Sequence, residues 1–460
     1  MPFKHTHTII SITRGSLLFN ILHLMAIPES QETIIPLIDS SETQPNTEPD
    51  DDTHLDHTLS RFENFLRLFG FCQYSFWSFS LSWLAFLLVG VALPMILIEI
   101  FQCANCEKYQ IKSFELEILV CESLVAAVSL LCISHNLRKY GVRKFLFVDR
   151  YHGHMTQFHD EYIRKINGFF HLLLVWLLPC FLLKTAREIT RVASVPQDSR
   201  WKSVVVLLAF LVSWMYSNVI FLSGSCLFNL VCNLQVIHFD NYGKLLEMDI
   251  DVSAYIEEHI RLTHYLSKIS HRFRIYLLLQ LLLVTASQFV VLLETTENSK
   301  LINLTNGGDF VVSSIVELVG IIICLQAAAK ISRRAQGLAS VTSRWHAMVT
   351  CSSGDPSQMG VDNDTENLET SYPAGSLPIN YSETDLESID YVPVPTNTQL
   401  ASYMSMYHKR EAFVSYMQSN PGGVTIYGWR TDRALINTIF FVELSLVLFV
   451  LGKTITFTTK

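Results

Sequence analysis

Few side chains in this sequence have types and spacings that could do chemistry. Cys103-Ala104-Asn105-Cys106 is a CxxC pair. Two thiolates make half of a tetrahedral zinc site, and Cys72, Cys121 and Cys132 lack the spacing to complete it. An outer disulfide and plain buried thiols both remain open for the pair. Tyr151-His152-Gly153-His154, followed by His159-Asp160-Glu161, is the densest collection of metal-ligating types. It falls in a basic connection, where a water-facing turn with ordinary histidines is favoured over a metal site. His171, Trp176 and Pro179 read as packing and kink residues. No phosphate-binding glycine loop, zinc-metalloprotease pair or hydrolase nucleophile elbow is present. The sequence therefore predicts no enzyme, no cofactor and no metal.

Three acids need an explanation. Glu122, Glu317 and Glu443 lie inside otherwise apolar runs. Burying charge in a bilayer is expensive, so such residues face a cavity, a partner or the protein interior. Internal hydrogen bonding, a water path and a subunit contact all remain open. In the last run, Thr438, Ser445 and Gly452 recur every seven residues. At about 100° per residue they share one helical face, flanked by Asn437, Phe441 and Leu448. Such a stripe suits close packing through small residues or the wall of a narrow pore with an apolar gate.

The elements that must hold these residues follow from composition. Apolar residues make up 50% of the 460 positions and charged residues only 17%, against about 25% charged in soluble domains. Mean hydropathy is +0.29. Net charge is −8, which does not favour nucleic acid as a partner. A spanning helix needs roughly 20 mostly apolar residues. Runs that qualify occur at 74–98, 114–136, 166–183, 203–239, 275–293, 310–329 and 434–452. The uncharged run 203–239 is read as one long helix leaving the membrane rather than two spans. The sequence thus predicts an all-α, polytopic seven-helix bundle.

Lys and Arg collect in cytoplasmic connections. Arg138, Lys139, Arg143 and Lys144 follow the second run, Lys244, Arg261, Lys268 and Arg272 the fourth, and Lys330, Arg333, Arg334 and Arg344 the sixth. The alternate connections are poorer, which places the N-terminus inside and the C-terminus outside. Asn303-Leu304-Thr305 is then a glycosylation sequon in an outer loop, whereas Asn380-Tyr381-Ser382 falls inside. Lys4 and Arg14 before the apolar stretch 17–27 slightly resemble a signal peptide, but the basic connections oppose the inverted topology it would impose.

Residues 29–56 and 351–398 each carry nine acids and no Lys or Arg. Both are expected to be disordered, because neither buries enough apolar area to offset ordering entropy. The resulting organisation is a cytosolic acidic region (1–60), six membrane helices with cytosolic extensions (61–345), an acidic insert (346–400), a cytosolic anchor helix and turn (401–431) and a seventh membrane helix (432–460). Tyr403, Tyr407, Phe413 and Tyr416 give the anchor its helical spacing.

Thr425-Ile426-Tyr427-Gly428-Trp429 precedes Arg430, Asp432 and the last run. With seven spans, an inside N-terminus and a long fourth helix, this segment resembles plant membrane proteins of long-unknown function allied to insect gustatory and odorant receptors. The resemblance covers about 61–456. It implies a subunit with topology inverse to G-protein-coupled receptors, assembled as a tetrameric ligand-gated cation channel. It also implies a split last helix, its cytosolic half near 404–419 and its pore-lining half at 433–457. Tyr427 falls near the aromatic member of the insect Thr-Tyr pair, although Ile426 separates it from Thr425, and no Gln-Phe pair occurs in the last run. The implied ligand cavity lies among spans two to six in the outer half.

The main expectation is a homotetrameric channel or channel-like receptor of the plasma membrane, in contact with lipid and gated by a small molecule. Thr438, Ser445, Leu448 and Gly452 would line its pore. A non-conducting receptor or scaffold acting through its cytosolic helices, and a transporter, are the alternatives. The chain shows no similarity between its halves, which disfavours the transporter.

Overall fold

In the computed structural model, the apolar runs become helices longer than a bilayer requires. The structure describes residues 50–100, 112–148, 155–194, 200–246, 251–297, 304–352, 406–430 and 433–458, all within the unit Pro49–Lys460. The helices are α1 (Asp50–Leu68), α2 (Phe76–Ala85), α3 (Leu93–Ile100), α4 (Lys112–Phe145), α5 (Met155–Ser194), α6 (Arg200–Leu245), α7 (Val252–Glu297), α8 (Leu304–Ser352), α9 (Met406–Ser419) and α10 (Arg433–Thr458). Among the described residues, six helical segments are long and apolar enough to cross a membrane. Residues 434–449 of α10 form a shorter apolar helix. The chain is an all-α, multi-pass membrane bundle. Exposed Phe76, Trp77, Leu182 and Leu282 present apolar surface to lipid.

At about 1.5 Å per residue, the 46 residues of α6 span about 69 Å. That is more than twice a hydrocarbon core of about 30 Å. The 203–239 run is thus one continuous helix, as its lack of a loop required. Residues 219–228 of α6 are buried on every side, making it the central rod. Gly320 of α8 lets the two rods close: a Cβ there would sit 2.2 Å from Phe221 Cζ. Small residues permit this approach where no hydrophobic effect drives helices together.

The first rod is not regular. A π-helical segment, Phe86–Ala92, joins α2 to α3. Pro94 has no N–H to offer the preceding turn, and such bulges leave carbonyls seeking donors. Ser213 Oγ of α6 donates to Val89 O at 2.7 Å.

At the far end of the rods, the end of α6, the start of α7, the end of α8 and α9 form a second packing centre. Tyr255 stacks on Phe413 at 5.9 Å, and Trp345 meets Tyr255 edge-on at 5.8 Å. Tyr242 donates to Tyr255 O at 3.0 Å, and Arg334 pairs with Asp240 at 3.5 Å. After α9, strands β1 (Thr425–Ile426) and β2 (Trp429–Arg430) pair antiparallel. Their turn puts Tyr427 at φ 49° and Gly428 at φ 83°, the signature of a type I′ hairpin. Ser332 and Ser270 hydroxyls accept the Val424 and Thr425 N–H groups at 3.2 Å each, tying the hairpin to α8 and α7.

Several expectations change. Residues 50–56 are helical rather than disordered, since α1 begins at Asp50. Leu55, Leu59, Phe62 and Leu66 are buried at helical spacing, and Phe62 meets Phe169 of α5 at 5.1 Å. Helix α8 continues through 346–352, inside the segment assigned to the insert. His159 is buried rather than water-facing, because it shares a helix face with Phe158 and Tyr162. His171 and Pro179 are exposed on a continuous α5, and only Trp176 of that trio packs against the core. Residues 1–49 and 353–405, the pair Cys103 and Cys106, residues 151–154, Asn303 and Lys460 lie outside the described residues.

Candidate functional site

Helix α10 has two unlike faces. Ile436, Glu443 and Val447 are buried, and the helix packs against α7 and α8. These three positions cluster within about 40° of one another at 100° per residue. On the opposite side Thr438 and Ser445 are exposed and Gly452 is half-exposed, while Asn437, Phe441 and Leu448 are exposed on the flank. Thr438 Oγ1 donates to Ala434 O at 2.9 Å, which satisfies its proton but leaves its oxygen outward. The four residues of the sequence stripe therefore share an outward side of the protomer.

The buried acids sit inward. Thr285 of α7 donates to Glu443 Oε1, so Glu443 faces a neighbouring helix. Its second oxygen is buried without a hydrogen-bond partner. Glu317 is buried on α8 and accepts from Ser287 Oγ at 3.1 Å and Gln288 Nε2 at 3.0 Å. The two acids thus hang on one and the same turn of α7. Nothing in the one-dimensional pattern named Thr285, Ser287 or Gln288, because small polar residues in an apolar run look like passengers until their partner is placed.

Glu122 belongs to a third arrangement at the end of the bundle opposite the aromatic packing centre. It lines a cavity of about 40 Å³ together with Glu115, Ser123, Lys184, Trp214 and Asp309. A buried ionic network frames this cavity. Lys184 pairs with Asp309 and, at 3.3 Å, with Glu188. Arg187 reaches Glu188 at 2.5 Å, Glu115 at 3.2 Å and Asp309 at 3.3 Å. Lys184 and Arg187 lie just beyond the apolar run 166–183. Their partners lie 72 and 125 positions away, a connection that only the fold makes.

The Tyr427-Gly428 pair is the tip of the hairpin, and the Arg274 guanidinium lies 5.0 Å from the Tyr427 ring centre. On its flanks Ile426 pairs with Trp429 and Thr425 with Arg430. Among the described residues, no group of three or more His, Cys, Asp or Glu is arranged to hold a metal ion.

Fold and site together define an integral, multi-pass membrane protein built around a long central helix. Residues 57–442 match the family described as "Protein of unknown function (DUF3537)". The chain belongs to this family. No curated protein matches it. Among solved structures, it is similar to the insect olfactory receptor OR5 from Machilis hrabei in complex with eugenol, at 13% sequence identity and a TM-score of 0.49. That match covers 88% of this chain and 100% of the receptor chain.

Proposed function

We propose that the chain is the subunit of a homotetrameric, ligand-gated cation channel whose last helix lines the shared axis. The carrying observation is the outward stripe of α10. Asn437, Thr438 and Ser445 are exposed on a helix whose opposite face is packed into the bundle. Polar groups turned to hydrocarbon lose their hydrogen bonds to water. A water-filled path between copies of α10 gives them water on one side and a neighbour on the other. Thr438, Ser445, Leu448 and Gly452 face that path, with Leu448 as the apolar gate that wets on opening. Glu443 stays out of it, holding α10 to α7. The reading also draws on the resemblance carried by residues 425–430.

In this reading α10 is a seventh span, the N-terminus and residues 350–390 are cytosolic, and Asn303 and Lys460 lie outside, following the Lys and Arg distribution. The acidic N-terminal region (1–60) and the acidic insert (346–400) are cytosolic in this reading. The plasma membrane is the site of action, and a small molecule opens the channel. Imaging of purified particles tests the assembly. Four-fold rings with an axial opening support it, and monomers contradict it.

A further inference from the structure

We propose that the membrane boundary on the side of the aromatic packing centre carries a site for the headgroup of an anionic phospholipid, held between α5, α6 and α8 by Lys165, Lys330 and Arg333. Three observations carry this, and none depends on whether α10 conducts.

The first is charge. Lys165 directly precedes the apolar run 166–183, Lys330 directly follows the run 310–329, and Asp240 directly follows the run 203–239. Helices α5, α6 and α8 therefore bring charged residues to one level, where hydrocarbon gives way to headgroups. The Lys330 ammonium lies within electrostatic reach of Lys165, Arg333 and Arg334, with Asp240 as the carboxylate among them. Arg334 already holds Asp240 at 3.5 Å, and Arg164 holds Glu161 at 3.7 Å. Among the described residues, Lys165, Lys330 and Arg333 make no ion pair. Like charges are thus gathered without an anion of their own, and their repulsion opposes the packing of the three helices. Phosphate oxygens accept from ammonium and guanidinium groups and cancel that repulsion.

The second is a chain of amides leading inward from the cations. Lys330 Nζ donates to Asn233 Oδ1 at 2.8 Å, and Asn233 Nδ2 donates to Asn229 Oδ1 at 3.0 Å. Both asparagines belong to the uncharged run 203–239, and both are half-exposed. The Asn229 amide N–H groups donate to nothing among the described residues. Gln326 is exposed one turn inward of Lys330 on the same side of α8. Amides left open at membrane depth are unfavourable. In a phospholipid the ester carbonyls lie just deeper than the phosphate, so a headgroup seated on the cations brings acceptors to these amides. A free phosphate brings none, and this selects the lipid.

The third is access. Arg333 is exposed, and Lys165 and Lys330 are half-exposed, so a headgroup reaches them without opening the bundle. At the opposite end Lys184 and Arg187 are buried and already paired with Glu188 and Asp309. Open, unpaired bases between membrane helices at the headgroup level are the arrangement that retains anionic lipid.

The test uses the full chain purified in a neutral detergent at constant ionic strength. Phosphatidic acid, phosphatidylcholine with the same acyl chains, and glycerol 3-phosphate are titrated separately. The proposal expects a saturable rise in Tm with phosphatidic acid that exceeds the rise with phosphatidylcholine, since a ligand that binds only the folded state stabilises it by mass action. It expects no rise with glycerol 3-phosphate over the same concentrations. Lys165→Gln and Arg333→Gln should each weaken the apparent affinity for phosphatidic acid by about fivefold, the usual worth of one base near an anionic surface. Should Lys165→Gln fail to fold, Arg333→Gln decides, because its side chain is exposed. Arg138→Gln combined with Lys139→Gln removes two exposed bases that follow the run 114–136 and should respond like the native chain. The proposal is overturned if phosphatidylcholine matches phosphatidic acid, or if glycerol 3-phosphate gives the same rise. It is equally overturned if Arg333→Gln keeps full affinity, or if the variant at 138 and 139 loses as much as Arg333→Gln.

Discussion

Gly320→Ala is the sharpest single test of how the central rods pack. The added Cβ would lie 2.2 Å from Phe221 Cζ, 2.8 Å from Cε1 and 3.1 Å from Cε2. Ordinary carbon contacts sit at about 3.5–4.0 Å, so the ring must retreat by about 1.5 Å. Phe221 is 2% exposed and has no open side to retreat into. Overpacking of this kind costs about 1–3 kcal/mol. Thermal unfolding of a fluorescent fusion, read by size-exclusion chromatography after heating, should show a clearly lower Tm for Gly320→Ala. Phe221→Leu removes the offending ring edge. In that background Gly320→Ala should cost less, with a coupling of about 0.5–3 kcal/mol, as expected for touching residues. An unchanged Tm for the single variant, or strictly additive losses, would refute the reasoning.

Tags at Met1 and Lys460, probed with a membrane-impermeant protease on intact cells, should be protected at Met1 and cleaved at Lys460; protection at Lys460 breaks the topology. Deleting residues 355–395 should leave the oligomer's elution volume, corrected for mass, unchanged, because nine acids without bases give no packed core. Collapse to monomer or aggregate would make that segment structural. Leu448→Ser should raise basal current by easing the wetting of an apolar constriction, and unchanged or reduced current argues against Leu448 as a gate.

Helix identity was legible where periodicity and length were strong. The uncharged run 203–239 read as one rod because a turn near Ser223, Gly224 and Ser225 would leave two spans almost nothing for a loop, and α6 is continuous. Legibility failed in two ways. The start of α1 was obscured by its acids, although Leu55, Leu59, Phe62 and Leu66 already mark a helical stripe beneath them. The contacts of the acids were invisible for a different reason. Glu443 meets Thr285 across 158 positions and Glu115 meets Arg187 across 72, and no local pattern encodes a partner at that distance. Tyr427-Gly428 stood out as a motif, but its cause was conformational: Gly428 sits at φ 83°, which glycine adopts without strain.

The central claim is that the outward side of α10 borders a conducting path. The direct measurement introduces cysteine singly at 434–453 and applies a water-soluble thiol reagent during current recording. The background carries Ser at Cys103, Cys106 and the exposed Cys351. Cys72 is buried, and burial pushes its thiol up to about 11, so it stays unreactive. The account predicts modification concentrated at 438, 445, 448 and 452, with position 443 silent. Modification centred on 443, or no effect at any position along this helix, contradicts it.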